Sequence, residues 1–105
     1  MLFIVSAQDH PDALERRLAC RQAHVDLIDD LKAGGYLLMG GALLNDADQM
    51  EGSVIIGDFA SKAELEEVWL KREPYVVNKV WDKVIIQRYS LGPSFTQDFP
   101  LKSHV

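Results

Sequence analysis

Arg17, Arg21 and His24 are spaced by four and three residues, which brings their side chains to one side of an α-helix. At 100° per residue, Leu14, Leu18, Val25 and Ile28 define the inward face of that helix, and the three polar side chains fall within or beside the same sector. Guanidinium and imidazole groups turned toward a core are costly unless each meets a partner. Two readings follow. In the structural one, Arg17 and Arg21 snorkel or pair with acids such as Asp9, Asp12 or Glu73, and His24 is a hydrogen-bonded core histidine. In the functional one, His24 moves protons inside a pocket, because imidazole titrates near neutrality and a carboxylate partner fixes its tautomer and raises its basicity.

Other candidates also carry paired readings. Ser53 either sits at a strand edge or offers a hydroxyl to a developing oxyanion. Tyr75 and Trp81 are core aromatics or flat walls for a ring-shaped ligand. The pair Gly40-Gly41 marks a β-bulge or a stretch of backbone that leaves room for a ligand. Cys20 is the sole cysteine; it cannot form an internal disulfide, reads as a helix packing residue rather than a reactive thiol, and fits a reducing, cytoplasmic setting. His10 and His104 lie far from His24 along the chain, so no metal site is expected. There is no phosphate loop and no nucleophile elbow, and no cofactor is expected.

Several elements must position these groups. The run LFIVSA at 2–7 reads as a buried strand ending near Gln8, followed by a polar turn. From Pro11 to Lys32 no glycine or proline intervenes, Pro11 suits a first helical turn and Gly34-Gly35 supply the stop, so one long helix spans this stretch. YLLMGGALL at 36–44 reads as a second strand and SVIIGDF at 53–59 as a third. Ser61, with Glu64 three residues on, opens a second helix running to about Leu70. Glu73-Pro74-Tyr75 interrupts it, a short helical segment follows at 75–80, and WDKVIIQRY at 81–89 is the last strand. The order βαββαβ is the ferredoxin-like α+β arrangement, an antiparallel four-stranded sheet with helices on one face. The other face, also apolar in LFIV, SVII and VIIQRY, calls for a symmetric homodimer built sheet to sheet. Residues 1–90 form the domain. The tail at 91–105, with Phe95, Phe99 and Leu101 between or beside two prolines, either straps across the partner subunit or frays.

Bulk composition narrows the function classes. The 105 residues suffice for one domain, 48% are hydrophobic and 26% charged, and a folded globular chain is expected. Acidic residues outnumber basic ones by 16 to 11 with no basic run, which argues against nucleic acid as a partner. The opening residues lack a basic stretch before their apolar run, and nothing approaches the ~18 apolar residues of a membrane span, so neither export nor membrane insertion is expected.

The AQD at 7–9, LERRL at 14–18, R-x-x-H at Arg21 and His24, Gly52-Ser53 opening the third strand and EPYV at 73–76 occur in order at matching spacings. In these features, over residue 1 to about 90, the chain resembles the YciI-like (YCII-related) family, which is similar in fold to the dimeric α+β barrel of the muconolactone isomerase type. The resemblance implies an active site with a His–Asp dyad, carried here onto His24 and Asp9, with Ser53, Pro74 and Tyr75 lining the same cavity. Arg17, Arg21, Glu73 and Gly41 are further candidates for binding the substrate. The chain departs from the family in having Glu73-Pro74-Tyr75 where Asp-Pro-Tyr is usual, so Glu73 is the runner-up acid. Geometry makes this choice matter: a helix starting near Pro11 puts His24 roughly 20 Å along its axis. Asp9 then reaches His24 only if residues 9–14 fold back, the helix starts later, or a partner subunit contributes the acid. The functional expectation is a cofactor-free enzyme transferring protons on a small cyclic, hydroxyquinol- or quinone-like substrate, of lyase, dehydrohalogenase or isomerase type. The alternative is a non-catalytic small-ligand-binding or interaction module.

Overall fold

A computed structural model of the chain describes residues 1–99. Four strands, β1 (Leu2–Asp9), β2 (Leu37–Leu44), β3 (Met50–Asp58) and β4 (Trp81–Tyr89), form one sheet in the order β2-β3-β1-β4. Every neighbouring pair is antiparallel. Helix α1 (Leu14–Ala33) joins β1 to β2; α2 (Lys62–Val68), a 3-10 turn at Leu70–Arg72 and the short α3 (Pro74–Val77) join β3 to β4. This is the ferredoxin-like α+β fold that the order of elements called for.

Alternation along β1 turns Phe3, Val5, Ala7 and Asp9 to the helices, and in the register Val5 faces Ile55 and Ala7 faces Ser53. Phe3, Val5, Ala7 and Ile55 join Leu27 and Leu31 of α1, Leu65 of α2 and the rings of Phe59, Trp69, Tyr75 and Trp81 in one core. Phe59 and Trp69 stack, and Trp69 meets Trp81 edge to face, at a centroid separation of 6.4 and 6.3 Å. Such pairs hold side chains at fixed angles as well as burying area.

The ends of α1 explain where its side chains land. The helix begins at Leu14 rather than Pro11, after a turn in which the Ala13 N–H donates to the His10 carbonyl and no side chain caps the first turn. It stops through Gly35, whose φ of 82° suits glycine, with the Tyr36 N–H reaching back to the Leu31 carbonyl at 2.9 Å. The expected inward face is corrected. Leu18 is 56% exposed, while Arg17, Leu27 and Leu31 are buried, so the face is turned by roughly one residue, about 100°. Arg17 can occupy its centre because β1 and β3 hold acceptors for its guanidinium; Leu18 is displaced as a consequence.

Strand and helix limits differ modestly from expectation. β1 extends to Asp9, which places that carboxylate on the helix-facing side, and β3 starts at Met50 instead of Ser53. The second helix is shorter than 61–70; Ser61 Oγ accepts the Glu64 N–H at 3.1 Å as its cap. The glycine pair is not itself a bulge: Gly40 and Gly41 of edge strand β2 pair in regular register with Ile55 and Val54, and the register with β3 slips before them, between Leu37 and Met39, and after them, between Leu43 and Leu44. A Cβ on Gly40 would come within 2.7 Å of the Ile55 side chain, whereas one on Gly41 would meet nothing within 4 Å. The tail forms a 3-10 turn at Pro93–Phe95; Leu101 and His104 lie outside the described residues. Among the described residues no helix is long and apolar enough to cross a membrane.

Candidate active site

Helix α1 from Arg17 to Lys32, strand β2, the first half of β3 and Tyr75 of α3 enclose a cavity of about 490 Å³. His24, Arg17, Arg21, Ser53, Tyr75, Gly40 and Gly41 line it, together with aliphatic side chains of α1 and β2. The structure thereby gathers most of the residues singled out in the sequence. Pro74 and Glu73 stand behind Tyr75 at the start of α3, Glu73 fully buried.

His24 meets Glu73, not Asp9. Its Nδ1 lies 2.9 and 2.8 Å from the two Glu73 oxygens. Glu73 also accepts the Trp69 Nε1–H and the Tyr75 backbone N–H, each at 3.0 Å, the latter bond making it the cap of α3, with Pro74 at the first helical position. A carboxylate facing Nδ1 requires that nitrogen to carry hydrogen, which leaves Nε2 as the ring's basic nitrogen. The imidazole stacks on Tyr75 at 4.0 Å between centroids and 11° between planes, and Trp81 stands edge-on to it. Three aromatic or carboxylate neighbours therefore fix a ring that retains one free nitrogen.

The expected His24–Asp9 dyad is corrected accordingly. Asp9 is engaged by Arg17, whose Nε–H donates to Oδ2 at 2.7 Å and whose Nη2 donates to Oδ1 at 3.2 Å. The reason is axial distance. With α1 starting at Leu14, the end of β1 lies level with Arg17, and His24 is seven residues or ~10 Å further along. No fold-back of residues 9–14 closes that gap. Arg17 is itself buried; its Nη2 also donates to the Gly52 carbonyl at 2.8 Å and to Ser53 Oγ at 2.7 Å, and its guanidinium carbon sits 4.6 Å from the Tyr75 ring centre.

Ser53 gains a definite polarity from these contacts. Its oxygen accepts from Arg17 Nη2 and from Trp81 Nε1–H, the latter at 3.2 Å. With both lone pairs engaged, the hydroxyl hydrogen is the group left to offer to the cavity. Burial pushes the Tyr75 phenol above its ordinary range, only partly offset by the Arg17 charge, so at neutral pH Tyr75 is uncharged. Burial likewise raises the Cys20 thiol, which packs against the core as expected of a structural cysteine. Among the described residues no group of three or more His, Cys, Asp or Glu side chains is placed to hold a metal ion.

Trp69 is the contributor that the sequence did not mark. Its indole N–H reaches the acid from four residues upstream, and only the buried aromatic W-x-x-x-E spacing across a helix end could have suggested it. Val25, Ile28, Leu37, Leu38 and Ile55 supply the apolar part of the cavity wall.

The model of the YCII-related domain matches residues 1–90. Protein YciI of Escherichia coli O6:H1 is 35% identical over 95 residues, covering 85% of this chain and 96% of that protein. A Haemophilus influenzae protein is 32% identical over the same coverage. Among solved structures, the chain is similar to 5-chloro-2-hydroxyhydroquinone dehydrochlorinase (TftG) from Burkholderia phenoliruptrix AC1100, in complex with 2,5-dihydroxybenzoquinone. The TM-score is 0.78 at 26% identity, over 90% of this chain and 98% of that one.

Proposed function

The chain belongs to the YCII-related family, and on that premise we propose that it is a cofactor-independent acid–base enzyme acting on a small hydroxyquinol- or quinone-like ring, with His24 as the base. The observation that carries this reading is the His24–Glu73 pair at the cavity wall, an imidazole oriented through Nδ1 with Nε2 left for a ligand. The likeness to a dehydrochlorinase holding a dihydroxybenzoquinone supports both the reaction type and the ring.

In this mechanism a ring O–H gives its proton to His24 Nε2. The electron pair left on oxygen forms a C=O bond and the adjacent ring double bond takes that proton up at the carbon bearing the leaving group, giving a keto form. His24 then removes the proton of a second ring O–H, whose electron pair forms the second C=O and moves the next ring double bond so that halide or water departs with its bonding pair, one proton and one leaving group being lost in all. Glu73 stabilises the imidazolium so formed. The Ser53 hydroxyl donates to the oxygen on which negative charge develops, and Arg17 keeps Ser53 in place. Asp9 serves this site by holding Arg17, while Tyr75, backed by Pro74, forms part of the wall beside the ring. Without a leaving group, the same groups move protons between ring positions, an isomerase outcome.

We further propose that the domain of residues 1–90 works as a homodimer. On the sheet face opposite the helices, Met39 and Ile85 are 53% and 55% exposed beside Ile4 and Val54, an apolar surface that a second copy would cover.

The test incubates chelator-stripped protein with chlorinated and unchlorinated hydroxyquinols while halide release and ring absorbance are followed. Halide release that disappears in His24→Asn is the expected result. A requirement for added metal, flavin or nicotinamide overturns the mechanism, and tight binding without turnover leaves the chain a ligand-binding module.

A further inference from the structure

We infer that the cavity takes its ligand as an organic anion, an ionised ring oxygen or carboxylate, and that Arg21 is the group that selects for that charge. The inference rests on the reading above for the location of the site and deepens it by naming the charge state of what enters.

Arg17 is neutralised by Asp9 at 2.7 Å; its Nη2 also donates to Gly52 and Ser53, and its Nη1 meets the Met50 thioether at 3.8 Å. Glu73 is fully buried and does not line the cavity; it stands behind the His24 ring, whose Nδ1 it meets at 2.8 Å, and offers a ligand no cation. Two further charges on the wall, Asp29 and Lys32, belong to the far end of the α1 stripe. They are eight and eleven residues from Arg21, or ~12 and ~16 Å along the axis. Beside the His24 ring that leaves Arg21.

Arg21 lies one turn from Arg17 and just under one turn from His24 on the same helix, and it lines the cavity with them. Among the described residues no ion pair or hydrogen bond holds its guanidinium. It is exposed to solvent overall, yet it reaches the cavity wall beside His24 and Tyr75. The next cavity residues along its helical stripe, Val25 and Ile28, are aliphatic and offer it no acceptor. A planar fork of donors with no protein acceptor, at the edge of a cavity that also presents the Nε2 edge of an imidazole, is a seat for carboxylate or enolate oxygen.

The charge has a chemical consequence. A ring that arrives with one hydroxyl already ionised needs only one further proton removed before its electrons can expel a leaving group. Arg21 then offsets the ground-state charge while His24 and Ser53 handle the change that occurs during reaction. The two tasks fall to different side chains, so they can be separated experimentally.

The experiment measures calorimetric affinities for two compounds with the same ring: 2,5-dihydroxybenzoquinone, which ionises at neutral pH, and 2,5-dimethoxybenzoquinone, which cannot. The wild-type protein should bind the first more tightly, with an advantage that shrinks as salt is added. Arg21→Gln should lose about tenfold to a hundredfold in affinity for the anion, the scale of one charge-assisted hydrogen bond, and change little toward the neutral ring. Arg21→Lys should recover part of the loss, which shows that charge rather than a folding defect is responsible. Equal affinity for the two rings, failure to bind either, or an anion preference that survives Arg21→Gln overturns the inference. Anion binding through Arg21 with no halide release would sink the catalytic reading alone and leave this one standing.

Discussion

Replacing Glu73 with Gln alters one atom beneath His24 and tests the dyad directly. In the native site the two carboxylate oxygens receive four approaches: Nδ1 of His24 from between them, the Trp69 N–H on Oε1 and the Tyr75 N–H on Oε2. A glutamine has one accepting oxygen. Whichever way its amide is turned, the NH2 faces either the Trp69 or the Tyr75 donor at about the distance of the bond it replaces, and one buried N–H loses its acceptor. That costs about 1–3 kcal/mol of stability, a fall of several degrees or more in melting temperature for a domain of this size. The larger effect is on the ring. The amide NH2 can be accommodated if Nδ1 becomes an acceptor, which moves the ring hydrogen to Nε2 and blocks the nitrogen assigned to take the substrate proton. Loss of an orienting acid of this kind lowers turnover by about 10³- to 10⁴-fold in the Ser-His-Asp enzymes, and a loss of that order is expected here. The assays are halide release for rate, denaturant unfolding for stability and nitrogen-15 NMR for the tautomer. A folded Glu73→Gln protein that retains activity within tenfold of wild type, or a wild-type ring already carrying its hydrogen on Nε2, refutes the assignment.

Asp9→Asn removes the counter-charge of buried Arg17 and should cost about 3–5 kcal/mol in chemical denaturation, while leaving the His24 tautomer unchanged in NMR. Ser53→Ala should slow halide release by roughly a hundredfold with little change in ligand affinity; a loss of binding equal to the loss of rate would place Ser53 in ground-state binding instead. Burial lifts the Cys20 thiol above its ordinary range, so alkylation by iodoacetamide should be slow at neutral pH and accelerate only at distinctly alkaline pH; rapid labelling at pH 7 would contradict the packing role. Sedimentation at micromolar concentration should give a dimer, and charge placed at Ile85 and Met39 together should give monomer; a wild-type monomer removes the sheet-to-sheet association.

The order of elements was readable because several boundaries carried local chemistry: the Gly34-Gly35 stop, Ser61 as a cap, Pro74 at a helix start and strand runs rich in Ile and Val. The identity of His24 and of the arginines was readable from helical spacing. The face they occupy was not. Apolar residues lie almost all round α1, so periodicity alone favoured Leu18 over Arg17, and only the acceptors on β1 and β3 settle the rotation. The partner of His24 was equally hidden, because both Asp9 and Glu73 precede or follow turns at the correct end of the sheet. What separates them is where α1 begins, and the shift from Pro11 to Leu14 follows from a backbone turn at His10–Ala13 that has no side-chain cap to announce it.

The two buried carboxylates have opposite surroundings, and the difference bears on which of them can take part in the proposed reaction. Asp9 faces a permanent cation at 2.7 Å, so its charge is compensated in every state of the enzyme and nothing gained during proton transfer would be felt there. Glu73 is equally buried, yet its other partners, an indole N–H and a backbone N–H, are neutral. Its charge is fully matched only when His24 becomes imidazolium. A site built so is complementary to the state reached after the substrate proton has moved, which is the condition for lowering a barrier rather than merely binding a ligand. Exchanging the acids, with aspartate at 73 in place of glutamate, shortens the side chain by one methylene. The shorter acid must then draw α3 toward α1 or give up either the Trp69 or the His24 contact, so the Trp69 indole and the length of Glu73 are two parts of one fit.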